Sequence, residues 1–89
     1  MEVLVHPEPS KYLRRLNEPD KGRIKKAVKG LGEEPPEGDI KPLAGQGGIF
    51  RLAVGGYRIL FRRRETGILV THVEPRGQAY GKKNRGRKR

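Results

Sequence analysis

From Phe50 to Phe61 apolar residues alternate with polar or small ones, on either side of a Gly55-Gly56 step. A period of two on both sides of such a step predicts two antiparallel strands joined by a two-residue loop. That loop length sets Val54 opposite Tyr57, Ala53 opposite Arg58, Leu52 opposite Ile59, Arg51 opposite Leu60 and Phe50 opposite Phe61. One face then collects Phe50, Leu52, Val54, Tyr57, Ile59 and Phe61. The other collects Arg51, Ala53, Arg58 and Leu60, with Arg62 and Arg64 further along. A slip of one residue would bury the arginines, so the register is well specified. The strands run over about residues 49–54 and 57–63, and a third is expected over 67–74. With Glu65-Thr66 as the turn, Ile68 and Val70 join the apolar face. His72 then follows them as a partly buried structural histidine; a longer loop before this strand is an equal alternative.

Upstream, Val3-Leu4-Val5 reads as a short strand stopped by Pro7 and Pro9. Ser10 is a helix N-cap candidate, followed by Tyr12, Leu13 and Leu16 at helical spacing. Asn17 is a second cap candidate, with Pro19 and Asp20 in the first turn of the helix after it. In that helix Ile24, Ala27, Val28 and Leu31 form one apolar stripe, and Gly30 and Gly32 mark its end. Residues 33–48 carry three prolines or glycines before Pro42 and three glycines after it, and read as a loop anchored by Ile40 and Leu43. The expected fold is α+β. An N-terminal strand and a helical hairpin pack on one face of a small, mostly antiparallel four-stranded sheet. One domain covers 1–80, and residues 81–89 form a basic flexible tail.

Charge divides this fold unevenly. Residues 1–40 hold eight acidic and eight basic side chains, whereas residues 41–89 hold thirteen basic side chains against Glu65 and Glu74, which accounts for the whole net charge of +11. A sheet face displaying cations, followed by a cationic tail, points to a polyanion, nucleic acid first. Lys41, Arg62, Arg64, Lys82, Lys83 and Arg85 are the candidate RNA contacts, phosphate-directed and of little sequence information. An anionic membrane ranks lower as a target, since Tyr80 alone offers the tail a large apolar group. The absence of cysteine excludes disulfides and thiol chemistry. No apolar run approaches the roughly 18 residues of a membrane span. The N-terminus lacks the basic start and apolar stretch of a secretory signal, so a cytoplasmic, soluble protein is expected. Gly45-Gln46-Gly47-Gly48 lacks the Lys-Ser/Thr ending of a phosphate-binding loop and precedes a strand, not a helix. No metal or other cofactor is expected.

The segments Lys41-Pro42-Leu43-Ala44-Gly45, Phe50-Arg51-Leu52, Val54-Gly55-Gly56-Tyr57-Arg58-Ile59-Leu60-Phe61 and Glu74-Pro75-Arg76-Gly77-Gln78-Ala79-Tyr80 occur in that order. In this the chain resembles RelE-type toxins of type II toxin–antitoxin systems, within the RelE/ParE superfamily, over about residues 2–80. The resemblance implies a ribosome-dependent mRNA endonuclease. Such a protein enters the ribosomal A site and cuts the bound codon by attack of the RNA 2′-OH on its own 3′ phosphate, without a metal. It also implies a cognate antitoxin that blocks the cationic face. Carried over by position, Arg58 is the strand arginine of catalysis and Arg76 the arginine before the last tyrosine. Tyr80 is the tyrosine that stacks on a base and has a part in proton transfer, and Arg51 stands where some members have lysine. A second family lysine is Ala53 here, which leaves the general base open between a differently organised site and substrate- or ribosome-assisted proton transfer. Two other functions stay in view: a ParE-like toxin that inhibits DNA gyrase, and a catalytically silent RNA- or ribosome-binding module. The Arg76-x-x-x-Tyr80 ending is more specific to the RNA-cleaving members.

Overall fold

The computed structural model of the chain describes residues 1–43, 45 and 47–75. Its elements are β1 (Glu2–Val5), α1 (Pro7–Arg15), α2 (Asp20–Gly30), β2 (Asp39–Pro42), β3 (Ile49–Val54), β4 (Tyr57–Arg64) and β5 (Gly67–Pro75). The strands form a single sheet in the order β1-β5-β4-β3-β2. All pairs are antiparallel except β1 with β5. Both helices lie on one face, so the α+β layer expected from the sequence is the fold.

The β3–β4 hairpin has the expected register at each of the five pairs from Val54–Tyr57 to Phe50–Phe61. Gly55 takes φ of +55° at the loop, a value that costs glycine nothing. Leu52, Val54, Ile59 and Phe61 are buried, joined by Ile68 and Val70 from β5, Leu13 from α1, and Ile24 and Leu31 from the α2 stripe. Val3, Val5, Leu16, Ala27, Val28 and Tyr57 pack around this core. Phe50 stacks on Phe61 with ring centroids 5.6 Å apart. No polar or charged residue is buried among the described residues, so the core between the layers is apolar throughout.

Both helix starts differ from the sequence expectation. α1 begins at Pro7, and Ser10 lies inside it, donating its N–H to the His6 carbonyl at 3.0 Å. Prolines are tolerated here because the first-turn N–H groups have no intrahelical acceptor. His6 ends the strand, its N–H bonded to Val70 O at 3.0 Å, and serves as N-cap without a side-chain bond. At α2 the capping oxygen comes from Glu18, not Asn17: Glu18 Oε1 accepts the Gly22 N–H at 2.9 Å.

The sheet has a fifth strand, β2, within the segment read as loop. Ile40 pairs with Leu52 and Pro42 with Phe50. Its proline and glycine neighbours disguised it. An edge strand uses only one side of its backbone for pairing, so Pro42 removes no necessary bond. The expected basic tail at 81–89 lies outside the described residues.

Candidate nucleic-acid interface

β5 breaks its own alternation. Leu60 pairs with His72, but Phe61 pairs with Val70, so Thr71 is an extra residue bulged out of the β4–β5 ladder. Beyond the bulge the faces of β5 exchange. Val73 now pairs with Ile59 on the core side, while His72 and Glu74 stand opposite Leu60 and Arg58 on the face that carries the arginines. The expectation of a partly buried His72 on the apolar face is therefore overturned: His72 is exposed and lies on the arginine face. The signal was in the sequence. Apolar residues at 68, 70 and then 73, with two polar residues in succession between the last two, mark a phase slip of one.

Cross-strand partners share a face, so the registers arrange this surface in rows. One row runs Asp39, Ala53, Arg58, Glu74 across β2, β3, β4 and β5. The next runs Lys41, Arg51, Leu60, His72. A third runs Ile49, Arg62, Leu69, Leu4, ending on β1. Arg51 and Arg58 are diagonal neighbours over the small Ala53. Lys41, Arg62 and Arg64 are exposed on the same face. Arg76, Tyr80, Lys82, Lys83 and Arg85 lie outside the described residues.

Each central arginine leans on a carboxylate. Arg58 donates to Glu74 Oε1 from Nε at 3.1 Å and from Nη2 at 2.5 Å. Arg51 Nη1 donates to the Asp39 backbone carbonyl at 3.2 Å and lies 3.6 Å from its carboxylate Oδ2. The Arg51 and Arg58 side chains are 22% and 30% exposed, which leaves both guanidinium groups reachable. The pairs link neighbouring strands and exchange at little energetic cost, because half-exposed ion pairs contribute about 1 kcal/mol or less.

His72 forms the wall between two shallow depressions beside α1. One, of about 480 Å³, is lined by His6, Pro9, Ile49, Arg62, Leu69 and His72. The other, of about 310 Å³, runs along Pro9, Tyr12, Thr71, His72 and Val73. Burial pushes the Tyr12 hydroxyl pKa upward, so it stays a neutral phenol in this groove. Among the described residues no cluster of three or more His, Cys, Asp or Glu has metal-binding geometry. No described helix is long and apolar enough to cross a membrane.

A family model described as the ParE toxin of the type II toxin–antitoxin system, parDE, matches residues 3–80. The fold is similar to that in the crystal structure of a RelB–RelE antitoxin–toxin complex from Methanococcus jannaschii, with a TM-score of 0.72 and 23% identity over 90% of this chain and 98% of that one. It is also similar to that in an archaeal RelE–RelB complex from Pyrococcus horikoshii OT3, with a TM-score of 0.70 and 26% identity over 86% and 96% of the two chains. No curated protein matches the sequence.

Proposed function

Because the chain belongs to the ParE toxin family of type II toxin–antitoxin systems, we propose that it is a toxin whose arginine face binds and cleaves mRNA on the ribosome. The observation that carries this reading is the placement of Arg51 and Arg58 side by side on the solvent face of the sheet, flanked by Lys41, Arg62 and Arg64. Phosphodiester cleavage by a 2′-OH passes through a pentacoordinate phosphorane with more negative charge than the ground state. Guanidinium groups fixed in place before the reaction stabilise that charge preferentially. Arg58 meets the phosphate by exchanging the Glu74 carboxylate for phosphate oxygens, and Arg51 does the same with Asp39. By the family resemblance Arg76 is a further catalytic arginine, and Tyr80 stacks on a base and takes part in proton transfer.

The test is primer extension on ribosomes programmed with a defined mRNA, with Arg58→Ala and Tyr80→Phe alongside the full chain. Cuts confined to the A-site codon are expected. Arg58→Ala should lower the rate about 10²–10³-fold, the usual loss for one transition-state donor. Its melting temperature should barely move, since the pair it breaks is half-exposed. Equal losses of stability and activity would contradict the role given to Arg58.

The match to a model described as ParE favours a second reading, inhibition of DNA gyrase without nuclease chemistry. A supercoiling assay with purified gyrase separates the two. Ribosome binding without cuts would leave an RNA-binding module. On either toxin reading the partner is a cognate antitoxin with an acidic or amphipathic segment that orders as it covers the sheet, in keeping with the RelB-bound state of both similar structures. Footprinting is expected to show Arg51 and Arg58 protected on adding antitoxin.

A further inference from the structure

We propose that His72 is the general base of this site, the group that takes the proton from the attacking 2′-OH; the inference rests on the RNA-cleaving reading above. Ala53 leaves β3 without a lysine, and arginine is too basic to accept a proton. The bulge at Thr71 supplies a substitute from β5, on the other side of β4. His72 is exposed on the arginine face and is the diagonal neighbour of Arg58, a relation that places residues about 7–8 Å apart. A phosphate on Arg58 and the adjoining 2′-OH at His72 are then within reach of one nucleotide.

The bulge also orients the ring. Thr71 Oγ1 lies 3.4 Å from the Leu60 carbonyl oxygen and 3.1 Å from His72 Nδ1, so the bulge holds one ring nitrogen against the hydroxyl. The general-base role uses the tautomer in which Nδ1–H donates to Oγ1, which leaves Nε2 unprotonated. In the reaction Nε2 takes the 2′-hydroxyl proton as the O2′–P bond forms. The P–O5′ bond breaks, O5′ takes a proton from water, and the imidazolium returns its own to solvent. The products are a 2′,3′-cyclic phosphate and a 5′-hydroxyl.

The charges facing His72 come from three sides. On the sheet they are Arg58, Glu74 and Arg62 around it, with Arg51 and Lys41 further along its own row. From α1, Glu8, Lys11, Tyr12 and Arg15 line the groove it borders. His6 lines the other depression. Cations outnumber carboxylates around it.

The experiment measures single-turnover cleavage on programmed ribosomes from pH 5.5 to 8.5 for the full chain, Arg58→Ala, His72→Gln and His72→Ala, the last with and without added imidazole. His72→Gln should lose about 10²–10³ in rate at pH 7.5, the scale of general-base catalysis. It should also lose the rise in rate over the range where an imidazole sheds its proton. Imidazole should restore part of the His72→Ala activity. A His72→Gln rate within threefold of the parent with the same pH profile would overturn the assignment, and so would a loss that imidazole does not rescue. A parent chain that makes no cuts, indistinguishable from Arg58→Ala, would instead remove the nuclease reading and this inference with it.

Discussion

Tyr57 closes the hairpin on its core side and donates its hydroxyl to Asp20 Oδ2 at 3.2 Å, tying β4 to the start of α2. Desolvation first, then the hydrogen bond and charge of Asp20, raise its pKa. Folding therefore favours the protonated phenol. Its contribution is complete below about pH 10, the ordinary tyrosine value, and is lost as pH rises through the raised folded value. Tyr57→Phe should lower the melting temperature by a few degrees at pH 8 and flatten the fall in stability above pH 10. Melting curves from pH 8 to 11.5 for both proteins check this. The same residue marks what single positions disclosed beforehand. Tyr57 was readable as core from its alternation with Ile59 and Phe61, but Asp20 as its partner was not, because nothing local links two residues 37 apart.

At the scale of elements, legibility followed periodicity. The β3–β4 hairpin and the α2 stripe each repeat over several residues, and both were readable. β2 has only four residues, and β5 changes phase at Thr71, so His72 was assigned to the wrong face. A one-residue bulge is the smallest change that moves chemistry from one side of a sheet to the other. At the other end of β5, Gly67 lies so close to β1 that a Cβ would fall 2.8 Å from the Glu2 carbonyl carbon and 2.9 Å from its nitrogen. Backbone cannot yield as a side chain does. Gly67→Ala should therefore push β1 off the sheet at a cost of about 3 kcal/mol. Urea unfolding, with amide exchange of residues 2–5, reads both the loss and its location.

Over the whole molecule, charge is segregated along the chain while the core is drawn from both halves. The basic half supplies the exposed cations of β2–β4 and six more at residues 82–89. RNA affinity should fall steeply with salt, with a log–log slope of about −0.7 for each single-strand phosphate neutralised. Truncation after Tyr80 should reduce that slope by up to about 4 while leaving the site of cleavage unchanged. Filter binding across a salt series, beside primer extension, tests the two halves of that statement. The parallel pairing of β1 with β5 carries a different consequence, for synthesis. The second strand of the sheet in space, β5, is the last along the described residues, and it joins the N-terminal strand to the rest. Closing so long a loop is slow, and no earlier strand pairs with β1 among the described residues. A growing chain can form its helices and the β3–β4 hairpin, but β1 has no neighbour, and Arg58 has neither Glu74 nor His72 beside it, until residues 67–75 have been added. A cell interrupted partway through making this protein is left with an unfinished sheet that carries arginines but no assembled site.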